Sequence, residues 1–252
     1  MDIRLQDKVI AISGAARGIG AAVAQQAVES GAKGLLLTDR DPVPRPPGDG
    51  IETLTADLSD PSTPGAIITA ALDAFGRLDG LVNAAGLTTR GSVEEGDAAL
   101  FDHLMAVNAR APFLLMSGAI RAMRTQGAGG SIVNIQSVNA DCGAPELAAY
   151  SASKGALQTL TANAANAHAS DLIRVNGINL GWTDTETERH LHDVELGKGD
   201  GWLASQAASR PMGRFVSADD AARLAVYLLS DASAPMTGVS MDLEGGVRSA
   251  PR

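Results

Sequence analysis

Tyr150 and Lys154 stand four residues apart in an alanine-rich stretch. On a helix, residues i and i+4 share a face, so the phenol and the ammonium would point into the same space. A phenol of pKa about 10 is a poor base near neutrality. An opposite charge within reach lowers a pKa by about 1–3 units, which moves a tyrosine towards general acid/base work. Alone, such a pair is usually a surface feature of a helix. Ser137 ends an apolar run 13 residues before Tyr150, and a hydroxyl at a strand end can hydrogen-bond an oxygen on which charge develops. Asn108 lies inside the amphipathic stretch Ala98–Arg124, where an apolar residue would be the plain expectation. By itself it reads as a solvent-facing polar residue.

A second group of residues suits phosphate. Ser13-Gly14-Ala15-Ala16-Arg17-Gly18-Ile19-Gly20 falls between a first apolar run and an amphipathic stretch. Glycines between a strand and a helix let backbone N–H groups and the helix N-terminus approach a pyrophosphate, although glycine also serves any tight turn. Asp39 closes the second apolar run, about 20 residues beyond the loop, where a carboxylate accepts hydrogen bonds from the ribose of a bound dinucleotide. That favours NAD. A 2′-phosphate there would meet the carboxylate at a cost of about 4 kcal/mol per charge pair at ~4 Å and an effective dielectric of about 20. Arg17 and Arg40 argue the other way, since either guanidinium could pair with the extra phosphate of NADP. A simple turn role is the alternative for Asp39.

The spacing Gly-x-x-x-Gly-x-Gly differs from the commoner dinucleotide fingerprint and resembles the short-chain dehydrogenase/reductase family, with Ser13 in place of that family's threonine. Asp57-Leu58 and Asn83-Ala84-Ala85-Gly86 resemble family positions beside the adenine ring and the central strand, with Ala84 in place of a second asparagine. In Asn179-Leu180-Gly181-Trp182-Thr183-Asp184-Thr185, Leu180 replaces the usual proline, while Gly181, Thr183 and Thr185 fit cofactor contacts. Asn108, Ser137, Tyr150 and Lys154 match the family's catalytic tetrad position by position. The resemblance implies that Tyr150 takes the alcohol proton as hydride passes to the nicotinamide, whose positive charge when oxidised would further favour the phenolate. It also implies that Lys154 holds the nicotinamide ribose and that Asn108 relays protons through ordered water. It runs on to Gly238 and Asp242–Gly246, with Glu244 in place of an aspartate. A homotetramer is implied, packed through the C-terminal strand and the helix Tyr150–Ala169.

Positioning these groups requires alternating strands and helices. Expected strands are Val9–Ser13, Gly34–Thr38, Ile51–Ala56, Leu78–Asn83, Ser131–Gln136, Ile173–Asn179 and Val239–Asp242, several of them continuous aliphatic runs suited to a parallel sheet buried on both faces. Expected helices are Gly18–Ser30, Thr63–Phe75, Ala98–Arg124, Tyr150–Ala169 and Ala218–Ser230. Right-handed crossovers then give an α/β fold: one domain with a doubly wound parallel sheet, a Rossmann-like three-layer sandwich. Asp41–Gly50, with four prolines, reads as a surface loop. The polar stretch Trp182–Arg210, carrying Glu186, Glu188, His190, His192 and Asp193, reads as a small helical lid or as a solvated excursion.

Composition narrows the partners. The net charge of −9, with 45% hydrophobic residues, disfavours nucleic acid, whose binding needs a basic surface. No run approaches the ~20 apolar residues of a membrane span, and the N-terminus lacks the apolar centre of a signal peptide. Cys142 is the only cysteine, so no intrachain disulfide can form and a cytoplasmic protein is expected. His190 and His192 with Glu186 and Glu188 read as a solvated polar face, and no metal is expected. Asn139, Trp182, Thr88, Arg90, Cys142 and Trp202 flank the motifs and could line a pocket for a small-molecule substrate. The tryptophans suggest either a stacking polar ligand such as a sugar or polyol, or hydrophobic anchors of the lid. The reading is an NAD-dependent oxidoreductase acting on a secondary alcohol. Its rivals are an NADPH-dependent carbonyl or 3-oxoacyl reductase and a nucleotide sensor without turnover.

Overall fold

Short aliphatic runs in this chain become strands because they are buried on both faces. In the computed structural model, which describes residues 3–186, 189, 192, 197–199 and 201–246, β1 (Val9–Ser13) is buried at every position and β4 (Gly80–Asn83) likewise. With β2 (Gly34–Asp39), β3 (Ile51–Thr55), β5 (Gly130–Ser137), β6 (Ile173–Leu180) and β9 (Ser240–Leu243) they form one seven-stranded sheet in the order β3-β2-β1-β4-β5-β6-β9. Every pairing is parallel. The edge strand β3 shows what two-sided burial does for the others: Ile51 is buried, but Glu52, Thr53 and Thr55 are exposed.

Helices cover both faces. The alanine stripe Val23, Ala24 and Ala27 of α1 (Gly18–Glu29) packs with Ala221, Ala222 and Ala225 of α7 (Ala218–Leu229) against Ile10, Ile12 and Leu35. The other face carries α2 (Thr63–Phe75), α4 (Ala111–Gln126) and α5 (Ala148–His168), with Ile67, Leu115, Ala119 and Met123 over Ala11, Leu36 and Ile132. The result is the three-layer sandwich that the alternating pattern implies. α7 starts at a capping box, in which Ser217 and Asp220 each bond the other's backbone N–H, a device that satisfies two otherwise orphaned donors.

One element differs from expectation. Ala98–Arg124 is not a single α-helix: α3 (Ala98–Met105) passes into a π-helical turn, Ala106–Arg110, before α4 begins. Pro112 supplies the reason. It has no N–H to give the Asn108 carbonyl four residues back, and its ring crowds that carbonyl. The ladder widens there, Ala111 donating to Ala106 five residues back. Widened turns of this kind re-aim side chains and recur at functional sites.

Beyond β6, Thr183–Asp184 (β7) pairs in parallel with Val216–Ser217 (β8), and α6 (Trp202–Ala208) lies between them. Glu188, His190 and Asp193, read above as part of a lid, lie outside the described residues.

Candidate active site

The strand order reverses between β1 and β4, and in open parallel sheets the ligand crevice lies above such a switch point. Ser13 and Asn83 are Cα partners at the carboxyl ends of those two strands. The turn above Ser13 is packed so tightly that only glycine fits. A Cβ on Gly14, whose φ is +72°, would lie 2.5 Å from the Ala85 nitrogen, and one on Gly20 would lie 2.1 Å from the Gly14 carbonyl oxygen. The loop is therefore pressed against Ala84 and Ala85, and α1 begins at Gly18, with no side chain capping its N-terminus. This cradle fits a dinucleotide pyrophosphate, which needs bare backbone and a helix N-terminus.

The flanking residues gather round it. Asp39 Oδ2 accepts from the Ala16 N–H at 3.1 Å and Oδ1 from the Asp41 N–H at 3.2 Å, tying the end of β2 to the glycine loop. Arg17 forms an ion pair with Asp41, and Arg40 is exposed. Asp57 accepts from the Ser59 N–H at 2.8 Å, and that bond, more than the nearby His103 or Arg40, holds its carboxyl below the usual range. The Thr185 methyl lies 3.7 Å from where a Gly18 Cβ would be, so Thr185 joins the phosphate end. Thr183 is buried and donates to the Gly181 carbonyl.

Some cofactor positions have structural work of their own. Leu58 is part of the core beneath the sheet, and Ile19 packs against the opposite core. Gly181 is fixed by packing, since a Cβ there would lie 2.6 Å from that of Glu244. Asn83 donates to Asn134 Oδ1 at 2.7 Å, Asn134 and Gln136 both donate to the Thr161 hydroxyl, and Thr161 donates to the Leu157 carbonyl. This buried ladder holds β4 and β5 to α5. It fixes the height of Tyr150 above the sheet.

At the other end of the crevice, Asn108, Tyr150 and Lys154, three of the four residues expected there, come together. Tyr150 and Lys154 lie on the buried face of α5, with Lys154 Nζ 5.9 Å from the phenol ring centroid. The ammonium donates to the Ile135 carbonyl at 2.9 Å, leaving two of its three donors for other partners. A Cβ on Gly86 would lie 3.3 Å from Lys154 Nζ and 3.6 Å from Asn108 Oδ1, so Gly86, Lys154 and Asn108 meet at one point. Asn108 is fully buried, not solvent-facing: its Oδ1 accepts from the Leu87 N–H, and its Nδ2 donates to the Leu87 carbonyl and to Ser153 Oγ at 3.0 Å. Ser137 accepts the Asn139 N–H at 3.1 Å, which leaves the serine proton available to a substrate oxygen. Ser153 escaped the sequence reading. Its hydroxyl donates to the Tyr150 carbonyl and accepts from Asn108, coupling the two, and its place three residues after Tyr150 on one helix face was the available signal.

Burial pushes Lys154 down from 10.5 to about 8. Between those values the unfolded chain binds a proton that the folded chain does not, so this group makes folding stability rise with pH across that window. The penalty is complete below pH 8 and vanishes above 10.5, amounting to about 3 kcal/mol. Denaturant unfolding at a series of pH values should show this rise in the wild type and lose it in Lys154→Met. Parallel curves would contradict the buried ammonium.

The tryptophans pack chiefly on their neighbours. Trp182 lies 5.1 Å from Trp202, 4.7 Å from His192 and 5.2 Å from Phe215, centroid to centroid. Cys142 is exposed, and Arg90 is ion-paired to Glu146 at 2.6 Å. Among the described residues, no group of three or more His, Cys, Asp or Glu side chains could hold a metal ion, and no helix is long and apolar enough to cross a membrane.

A dinucleotide cradle opposite a tyrosine–lysine pair defines an NAD(P)-dependent oxidoreductase acting on CH–OH or carbonyl groups. The family model described as enoyl-(acyl carrier protein) reductase matches residues 14–248, and the chain belongs to the short-chain dehydrogenase/reductase family. It is 36% identical to 2-(S)-hydroxypropyl-CoM dehydrogenase 3 of Xanthobacter autotrophicus, over 98% of this chain and 99% of that one. It is 32% identical to the NADP-dependent (R)-specific alcohol dehydrogenase of Lentilactobacillus kefiri, over 98% of each. Among solved structures, 3-ketoacyl-(acyl-carrier-protein) reductase from Brucella melitensis, complexed with NADH, is similar with a TM-score of 0.85 and 32% identity, over 96% of this chain and 98% of that one.

Proposed function

We propose that the protein oxidises a secondary alcohol to the ketone with NAD as acceptor, and that Tyr150 is its general base. The observation that carries this reading is the convergence of Lys154, Gly86 and Asn108 behind Tyr150 on the buried face of α5. When bound, the oxidised nicotinamide supplies the hydride acceptor. Tyr150 takes the hydroxyl proton, and the Lys154 ammonium favours the phenolate it starts from. Ser137 donates its hydroxyl proton to the substrate oxygen. The two uncommitted donors of Lys154 would hold the nicotinamide ribose, and Asn108 would help to hold a water that returns protons to solvent.

NAD is favoured by Asp39, whose carboxylate sits at the end of β2 beside the glycine loop, and by Arg17, which Asp41 already engages. A second reading, NADPH-linked reduction of a carbonyl or 3-oxoacyl group, is favoured by the relatives: the Lentilactobacillus enzyme is NADP-dependent and the Brucella enzyme is a ketoacyl reductase. Stacking of a sugar or polyol has less support, because the tryptophan rings are engaged with each other. The test is initial-rate absorbance at the reduced-nicotinamide band, with NAD and NADP separately against secondary alcohols and 3-oxo esters. NAD-linked alcohol oxidation is expected; faster NADPH-linked reduction would establish the second reading.

The excursion that follows β6 is proposed as a lid because it leaves the carboxyl end of a strand, the edge at which open parallel sheets bind ligands. Self-association into a tetramer is supported by a groove of about 710 Å³ between α3, α4 and α5, lined by Asp102, Met105, Arg110, Phe113 and Leu160, beside which Phe101 is also exposed. Light scattering should give the mass of four chains. The single cysteine fits a cytoplasmic location, which cell fractionation tests.

A further inference from the structure

Arg210 lies where the chain leaves α6 on its way to β8. Its guanidinium carbon is 5.2 Å from the Trp182 ring centroid and 5.4 Å from that of Phe215. Trp182 is two residues past Leu180, the Cα partner of Ser137 across the sheet, so this stacked cation borders the chemical end of the crevice. Its cationic neighbours are engaged. Arg189 is ion-paired to Asp184, Arg214 to Asp220, and the Lys198 charge acts on Glu146, four residues before Tyr150. Arg210 forms an ion pair with no acid among the described residues, and its Nε is buried without an acceptor.

That arrangement is poor for stability and good for recognition. A buried N–H without a partner is costly. A guanidinium lying against aromatic rings keeps its planar fork of N–H donors, which matches the two oxygens of a carboxylate. The rings of Trp182 and Phe215 hold the fork in place. They also exclude water from one side, where a charged hydrogen bond is strengthened by the low local dielectric.

We propose that Arg210 binds a carboxylate carried by the substrate at the end away from its carbinol, so that the alcohol is a hydroxy acid. This inference rests on the alcohol-oxidising reading above. It is tested with straight-chain acids bearing a hydroxyl on the penultimate carbon, from 3-hydroxybutanoate to 7-hydroxyoctanoate, each against its methyl ester. For the chain length that spans Ser137 to Arg210, kcat/KM for the acid should exceed that for the ester by about 10–100-fold, the range for a hydrogen bond to a charged group. Arg210→Gln should abolish the preference by raising KM for the acid, with ester turnover and NAD affinity unchanged. Arg210→Lys should recover part of it.

The comparison of acid and ester on the wild type needs no variant, so a misfolded substitution leaves the test intact. Equal kcat/KM for acid and ester at every length would overturn the proposal, as would an Arg210→Gln variant that loses acid and ester activity equally or binds NAD less well. Absence of oxidation with any alcohol, simple secondary alcohols included, would instead overturn the reading on which it rests.

Discussion

Tyr150→Phe is expected to lower turnover by about 10²–10⁴-fold, the range for removing a general acid/base group, while NAD still binds. The separation follows from where the residues sit. The glycine loop, Asp39 and Thr185 form one end of the crevice, and Tyr150 is at the other, on α5. Removing one oxygen from a buried ring leaves intact the Asn83–Asn134–Thr161 ladder that holds α5 to the sheet. Fluorescence titration with NAD and steady-state rates on one preparation check both halves. Unchanged turnover would remove Tyr150 from the mechanism, and loss of NAD binding with loss of rate would indicate damage to the fold.

The second large effect concerns cofactor choice. Wild-type protein should prefer NAD to NADP by hundreds-fold in kcat/KM, from the repulsion of about 4 kcal/mol between a 2′-phosphate and the Asp39 carboxylate at ~4 Å. Asp39→Ser should remove most of that discrimination. NAD itself should bind less tightly in the variant, because Asp39 also accepts the Ala16 and Asp41 N–H groups and so helps to shape the loop. The gain for NADP should be larger if Asp41 is replaced as well, since Arg17 would then be released from its ion pair. The ratio of the two specificity constants, measured for wild type and variant, is the readout. A wild-type ratio near one would mean that Asp39 is a turn residue.

Most of the sheet is legible in the sequence because its strands are buried on both faces and therefore read as uninterrupted aliphatic runs. β1 and the helix Thr63–Phe75 fall where the pattern puts them, and other boundaries shift by one or two residues. Tyr150, Lys154, Ser137 and the glycine loop are legible for a different reason: their spacing is local, set by one helix or one turn. The buried ladder is not, because Asn134, Gln136 and Thr161 come from separate elements, and only the tertiary fold shows which amide meets which hydroxyl. The π turn at Asn108 lies between these cases. Pro112 marks it in the sequence, four residues on, but the amphipathic period of Ala98–Arg124 continues through the turn and conceals it. Gly181 and the tryptophans show the reverse difficulty: residue types that suit a ligand are explained in part by the packing of Glu244, His192 and Phe215 around them.

The central claim is that hydride passes directly between a carbinol carbon and the nicotinamide in the cleft beneath Tyr150. Its most direct test is oxidation of a secondary alcohol deuterated at the carbinol carbon, with the reduced cofactor isolated and analysed for label. Deuterium at C4 of the reduced nicotinamide, on one face only, is the predicted result. Ketone formation with the deuterium released to water and none in the cofactor would contradict it.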